Sequence, residues 1–468
     1  MDMPRVVIAG VKGGSGKTTV TLALVRALRM LKGLRVMPFK KGPDYIDAGW
    51  LAAAAEQPCY NLDPFLIGRE RVLESFGAHF SGDVAVIEGN RGLHDGLDAD
   101  GTYSTAALAV LLDAPVVLVV DCTKMTRTTA AVVTGCMALD KNVAVRGVVL
   151  NQVAGSRHEA VVRESVERYC RVPVVGAIPR FGDGRFPERH MGLTPHQEHP
   201  DTSSALAFAE ELGRTYLDVD TILRIAREAR PVSEGTRSRP CEACEGVLSG
   251  RKPRIGIIRD AAFQFYYPEN LEELRRCGAE TVEVSALDGR GLPSIDGLYI
   301  GGGFPETNAL SLARNERFRN EVRSVAEAGM PIYAECGGLM FLGRFIQVGA
   351  ERFPMAGVFP LGFEMKTRPQ AHGYTTVKVD RLNPFYPVGT VLNGHEFHYS
   401  AIIEGPEGDC HSSDTVFAMV RGTGLAAERD GLVHKNVLAT YTHVHALGVP
   451  DWAQGIIGRA VEYSEENR

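Results

Sequence analysis

A glycine-rich loop held between a buried strand and a helix constrains this chain more than any other feature. Val6-Val-Ile-Ala9 is a short apolar run, Gly10-Val-Lys-Gly-Gly-Ser-Gly-Lys-Thr-Thr19 follows it, and an apolar helix is predicted from Val20 to Leu31. Such a loop cradles phosphates, because its backbone N–H groups turn inward and the helix N-terminus adds positive potential. Lys12, Gly13, Gly14, Ser15, Gly16, Lys17, Thr18 and Thr19 are the candidate nucleotide-binding residues. Lys17 is expected at the β- and γ-phosphates, and the Thr18 hydroxyl at Mg2+. Val11 stands where the first glycine of the common phosphate-loop pattern belongs, and Lys12 gives a deviant form with an extra lysine.

Strands and helices alternate through the first 230 residues, which predicts an α/β fold with a doubly wound parallel sheet. Arg35–Lys40 reads as a second strand, and the turn at Gly42-Pro43 sets Asp44 and Asp47 where that strand ends. Val84–Ile87 runs into Glu88, with Asp95 further along the same segment. A carboxylate at a strand end beside a phosphate loop is placed to hold Mg2+ or to orient water, and Glu88 is the stronger candidate. Glycines at 89, 92 and 96 are expected to let backbone approach a ligand, and His94 is read as structural. Asn151 closes the strand Arg146–Leu150, either to read an adenine edge or to cap a turn. The loop from Arg180 to Thr194 holds three arginines and one histidine, suited to a substrate with several carboxylates.

At 468 residues two domains are expected. A segment from 231 to 252, rich in Pro, Gly, Ser and Arg, reads as the linker, leaving domains at 1–230 and 253–468. Cys241 and Cys244 within it make a single C-x2-C, a weak metal signal read as adventitious. A net charge of −6 gives no reason to expect nucleic acid or an anionic membrane as partner. No apolar run reaches ~18 residues, so no membrane span is predicted. Nine scattered cysteines and an N-terminus that leads straight into a strand point to the cytoplasm.

In the second half, Met330–Tyr333 reads as a buried strand and Ala334-Glu-Cys-Gly-Gly-Leu-Met340 as a tight turn entering an apolar helix. A turn of this kind lifts Cys336 out of the sheet and sets its thiol at a helix start, favouring the thiolate and an adjacent oxyanion. Gly301-Gly-Gly303 after another strand frees backbone N–H groups to face a ligand or oxyanion. His395 and His398 are too few to define a metal site. Val437–His445 is read as one strand ending in His443 and His445 on one face, either being a candidate base for Cys336.

Several stretches combine into a specific pattern: the phosphate loop, Phe39-Lys-Lys-Gly-Pro-Asp-Tyr-Ile-Asp47, Tyr60-Asn-Leu-Asp63, Glu88–Gly96 and Arg259-Asp-Ala-Ala-Phe263. Gly301-Gly-Gly-Phe-Pro-Glu306, Ala334–Met340, Gly394-His-Glu-Phe-His-Tyr-Ser400 and the Thr-His-Val-His ending complete it. In this order they resemble the cobyrinic acid a,c-diamide synthase family over nearly the whole chain. The resemblance implies a dethiobiotin-synthetase-like ATP domain followed by a class I glutamine amidotransferase-like α/β domain. It implies ATP- and glutamine-dependent amidation of the a and c acetate carboxylates of cobyrinic acid through acyl phosphates. Carried onto this chain, Cys336 attacks the glutamine amide, and His443, or else His445, is its base. Related amidotransferases often end His-x-Glu; here the third position is His445, so a Cys–His dyad is expected rather than a triad. Mg2+ would be held by Thr18 and Glu88 with Asp44 or Asp47.

Some residues depart from the family pattern: Ala48 after the second aspartate, Asn90-Arg91 after Glu88-Gly89, and Lys12, which resembles the signature lysine of partitioning-type ATPases. The alternatives are the same reaction on nickel-sirohydrochlorin or hydrogenobyrinic acid and, more distantly, a partitioning-type ATPase switch. A homodimer is left open.

Overall fold

The computed structural model describes residues 3–181, 188–189, 192–195, 197–198, 201–231, 252–404 and 415–467. The chain divides into two compact units, Met1–Ser238 and Arg239–Arg468. Residues 232–251 of the expected linker, with Cys241 and Cys244, lie outside the described residues. So do Arg185, His190 and the side chain of Arg189, which carried the expected arginine-rich loop.

The first unit is built on seven strands: β1 Arg5–Gly10, β2 Val36–Lys41, β3 Tyr60–Leu62, β4 Val84–Gly92, β5 Val116–Asp121, β6 Val145–Val153 and β7 Val174–Pro179. They are parallel throughout, in the order β3-β2-β4-β1-β5-β6-β7. Val6–Ile8, Val84–Ile87 and Val116–Val119 are 0% exposed, so these are strands covered on both faces. From β1 the chain winds outward through β2 and β3, returns in β4, and resumes beyond β1 as β5 to β7. The reversal falls beside β1, where open parallel sheets bind ligands. The helix Lys17–Lys32 starts directly after the glycine-rich loop and ends at Gly33, in a left-handed conformation (φ 65°) whose N–H returns to the carbonyls of Arg29 and Leu28. Two helices, Thr202–Tyr216 and Val219–Arg227, follow later in this unit. Asp218 starts the second by accepting the Thr221 N–H at 3.0 Å. Two-residue strands β8 Glu188–Arg189 and β9 Gly192–Leu193 pair with each other.

In the second unit the strands are β10 Arg254–Ile258, β11 Glu280–Val284, β12 Gly297–Ile300, β13 Ile332–Glu335, β14 Phe345–Val348, β15 Glu351–Pro354 and β16 Gly362–Met365. They continue as β17 Ala371–Val379, β18 Val391–His398, β19 Ser400–Glu404, β20 Thr415–Arg421, β21 Arg429–His434, β22 Val437–Thr440 and β23 His443–Val444. The main sheet runs β11-β10-β12-β13-β22-β21-β20-β17-β18-β23. It is parallel from β11 to β22 and antiparallel from there on. A smaller sheet, β15-β14-β16-β19, accompanies it. Along β13 the side chains alternate between two cores. Ile332 and Ala334 pack with Leu339, Phe341 and Phe363, whereas Tyr333 packs with Trp452, Ile456 and Ile457.

The expected single strand Val437–His445 is two. β22 stops at Thr440, and β23 lies at the far edge of the sheet beside β18. His445 already belongs to the turn Ala446–Gly448, whose start it caps by accepting the Leu447 N–H. Strand alternation therefore ends before His445, and the two histidines do not share a face.

Candidate active sites

In the first unit the glycine-rich loop is held from below. The Asn151 side-chain amide, at the end of β6, donates to the Ser15 carbonyl at 2.9 Å. A Cβ on Gly16, where φ is 88°, would stand 2.1 Å from that amide nitrogen. Only glycine satisfies both the dihedral and the space. Asn151 thus braces the loop through its amide nitrogen. Ser15 closes the loop on itself, its hydroxyl donating to the Lys12 carbonyl at 2.9 Å. Lys12 points outward and pairs with Asp121 at 3.4 Å. Lys17 is buried, and burial together with the neighbouring Lys40 lowers its pKa.

Parallel register sets Lys40 on β2 and Ile8 on β1 on either side of Glu88 on β4. The Thr18 hydroxyl donates to Glu88 Oε1 at 2.8 Å and lies 3.3 Å from Asp47 Oδ2. Lys40 Nζ reaches Asp47 Oδ2 and Glu88 Oε1, each at 2.8 Å, and Asp44 Oδ2 at 3.5 Å. Asp47 sits in the first turn of the helix Ile46–Ala55, and its N–H donates to Asp44 Oδ1 at 2.9 Å. Burial and the adjacent Asp47 push Asp44 up to about 7. Burial also acts on Asp47, but Lys40 outweighs it and holds that carboxyl below its ordinary value. Glu88 is raised by burial, with Lys40 pulling the other way. For Lys40 itself, burial is outweighed by Asp47 and Glu88, and its ammonium is held well above the ordinary lysine range.

Glu88 Oε2 is buried and has no hydrogen-bond partner. With the Thr18 hydroxyl and Asp47 it forms a hard-oxygen set suited to Mg2+. Among the described residues no three His, Cys, Asp or Glu are arranged to hold a metal unaided. Asp95 lies beside this set and accepts the Gly92 N–H at 2.8 Å. A side chain at any of the three glycines would meet protein: Thr105 at Gly89, Asp95 at Gly92, and Gly101 and Thr102 at Gly96. His94 faces the Cys136 carbonyl at 2.8 Å, a structural contact.

In the second unit β13 ends at the expected turn. Cys336 adopts φ 47° and ψ −98°, and the helix Gly337–Leu342 follows. Its N–H donates to the Thr440 carbonyl at 2.7 Å, tying the turn to β22. Buried Asp430 fixes that neighbour, accepting from the Thr440 hydroxyl at 2.7 Å and from the Tyr441 and Thr442 N–H groups at 3.0 and 2.9 Å.

His443 is hydrogen-bonded to Cys336 and to Glu335. Its Nδ1 lies 3.3 Å from Glu335 Oε2. Burial alone would push His443 down; these two hydrogen bonds outweigh it and raise the ring to about 10. His395 stacks on His443 with centroids 4.8 Å apart, and burial and His443 hold it well below the ordinary histidine range. A Cβ on Gly302 would stand 2.5 Å from His443 Cε1, so the glycine turn after β12 admits the ring edge-on. His445 is apart from this group. It is fully buried over Tyr267, and its Nε2 faces Glu269 Oε1 at 3.5 Å. His398 stacks on Tyr441.

Residues 254–450 match the family described as the CobB/CobQ-like glutamine amidotransferase domain, and residues 6–193 the CobQ/CobB/MinD/ParA nucleotide binding domain. The cobyrinate a,c-diamide synthase of Magnetococcus marinus is 42% identical over 452 residues, covering 96% of each chain. That of Archaeoglobus fulgidus is 39% identical over 465 residues, covering 99% of this chain and 98% of its own. The chain belongs to the cobyrinate a,c-diamide synthase family. That of Methanosarcina acetivorans is 36% identical, covering 99% of this chain and 96% of its own. Family membership makes the chain an enzyme with a nucleotide-binding half and a glutamine amidotransferase half. The nucleotide-binding description also spans partitioning-type proteins, which accounts for the likeness at Lys12. Among the described residues no helix is long and apolar enough to cross a membrane.

Two residues were not anticipated in these sites. Lys40 is 1% exposed near the end of an apolar strand, and Glu335 is 0% exposed directly before the cysteine. The signal in both cases was a charged residue within a run otherwise read as buried, which requires a partner. The dyad was expected because the position two after His443 is His445; in the structure a carboxylate from a different element, Glu335, faces His443 at 3.3 Å.

Proposed function

We propose that the chain converts the a and c acetate carboxylates of cobyrinic acid to amides, using ATP and glutamine. Cys336 and His443, hydrogen-bonded in the amidotransferase half of a family whose named members are cobyrinate a,c-diamide synthases, are the observation that carries this reading. Cys336 Sγ attacks the side-chain amide carbon of glutamine. His443 takes the thiol proton and returns it to the departing nitrogen, so that ammonia leaves and a thioester remains. Water hydrolyses the thioester to glutamate and restores the thiol. Backbone N–H groups of Gly302, Gly303 and Gly337 are the donors for the oxyanion formed in each step.

In the nucleotide-binding half, a substrate carboxylate oxygen attacks the γ-phosphorus of ATP. ADP leaves and an acyl phosphate forms. Ammonia then attacks the acyl carbon, inorganic phosphate leaves, and loss of a proton gives the amide. Lys17 faces the β- and γ-phosphates, the backbone from Gly13 to Thr19 encloses them, and Lys12 stands outside the loop, paired with Asp121. Asn151 keeps the loop in its phosphate-ready shape. Thr18, Asp47 and Glu88 would hold Mg2+, which supplies neutralisation of the phosphoryl charge. Asp44 orders Asp47, Asp95 orders the turn at Gly92, and Lys40 holds the carboxylates together.

The partition of activity in Cys336→Ala tests this reading. Glutamine-dependent amidation is lost and ammonia-dependent amidation is retained; equal loss of both would overturn the division of labour between the two halves.

A further inference from the structure

Glu335 and Cys336 are adjacent, yet both reach His443. In a regular strand, neighbouring side chains point to opposite faces. Here φ of 47° at Cys336 breaks that rule, so the two residues flank one ring. Glu335 Oε2 lies 3.3 Å from His443 Nδ1, which leaves Nε2 for the thiol. The carboxylate is itself oriented: the Tyr299 hydroxyl donates to Oε2 at 3.2 Å and the Val444 N–H to Oε1 at 3.3 Å. It is 0% exposed, so water does not compete for it. Cys336 and this buried carboxylate are the two groups that raise the proton affinity of His443 against its burial. The remaining described groups around the ring are the stacked His395 and, on the same strand as His395, His398, which burial pushes down to about 4. His445, in the position that carries the carboxylate in related His-x-Glu endings, is turned to Glu269.

We propose that Glu335 is the positioning residue of the glutaminase centre. Its carboxylate accepts the His443 Nδ1–H, presents Nε2 to the Cys336 sulfur, and stabilises the imidazolium that holds the proton given up by the thiol. This inference rests on the reading of Cys336 as nucleophile and His443 as base. The thiol proton moves to Nε2, the Nδ1 proton stays between ring and carboxylate, and Glu335 never takes it. The role of orienting carboxylate has thus passed from the residue two places after the histidine to the residue just before the nucleophile.

Steady-state hydrolysis of glutamine by the full-length chain, followed across pH, tests the proposal with Glu335→Gln and Cys336→Ala. Glu335→Gln keeps an acceptor for Nδ1–H but removes the charge. It lowers kcat on the order of 10²-fold, leaves KM for glutamine within about twofold, and moves the alkaline limb of the rate profile down by about one pH unit or more. Ammonia-dependent amidation persists. An unchanged kcat, or a lower kcat with the alkaline limb unmoved, overturns the proposal, since a purely structural prop would not shift a titration. Should the Gln variant fail to fold, nitrogen NMR of histidines in Cys336→Ala decides. The neutral His443 ring, identified by the signals lost in an added His443→Gln change, carries its proton on Nδ1; a proton on Nε2 overturns the proposal. Retained hydrolysis in Cys336→Ala would instead refute the nucleophile reading. Loss there with full activity in Glu335→Gln removes only the role given to Glu335.

Discussion

Replacing Lys40 with methionine removes the one ammonium that separates the Glu88 and Asp47 carboxylates while keeping the length of the side chain. Lys40 Nζ lies 2.8 Å from each carboxylate, and Glu88 is 0% exposed. Breaking a buried pair by removing one partner costs about 3–5 kcal/mol. Protonation sets a ceiling on this penalty. Glu88 starts from an ordinary value of 4.5. Holding one extra proton on it costs about 1.4 kcal/mol for each pH unit above that, so about 5 kcal/mol at pH 8 and about 2 kcal/mol at pH 6. The folded variant binds a proton that its unfolded chain releases, so its stability falls as pH rises. The sequence has two tryptophans, and Trp50 lies in the helix Ile46–Ala55 that carries Asp47. Urea unfolding without nucleotide, followed by Trp50 fluorescence in a Trp452→Phe background, therefore reads the first unit. The account predicts a loss of about 3–5 kcal/mol at pH 8, reduced to about 2 kcal/mol at pH 6. A loss under about 1 kcal/mol at pH 8, or an equal loss at both values, refutes the reasoning.

Two other substitutions probe the sites. Gly16→Ala forces a side chain into a left-handed conformation and displaces the Asn151 amide. A loss of about 2–4 kcal/mol in stability is expected, with weaker ATP binding by calorimetry; in an Asn151→Ala background the added loss shrinks to about 1–2 kcal/mol. Strictly additive effects would mean the two residues do not meet. His443→Ala abolishes glutamine hydrolysis, lowering it on the order of 10²-fold or more. His445→Gln instead lowers thermal stability, with glutamine hydrolysis retained in the folded fraction; the reverse ranking would return His445 to the role of base.

The phosphate loop and the nucleophile turn were legible because each demands backbone features that only certain residues supply: glycines at fixed places, followed by a helix. The meeting of Glu88 with Thr18 was legible for a related reason, since that strand ends beside the loop. Their joining by Lys40 was not, because parallel register between β2 and β4 follows from the sheet order, which local sequence does not encode. Asn151 was placed at the right strand end, but its direction depends on Gly16, distant in sequence. The pairing of His443 with Glu335 was hidden twice over. The chain leaves β22 before His443, so strand alternation across Val437–His445 could not separate His443 from His445. The carboxylate comes from a strand that lies next to β22 but not next to β23. In each case the missing information was which distant strand becomes a neighbour.

Mass spectrometry of cobyrinic acid incubated with the protein, Mg-ATP and glutamine, beside a parallel reaction on nickel-sirohydrochlorin, tests the central claim most directly. The account predicts a product of cobyrinic acid in which two carboxylates have become amides, with no product from the nickel compound. Amidation of the nickel compound alone, with cobyrinic acid recovered unchanged, would contradict it.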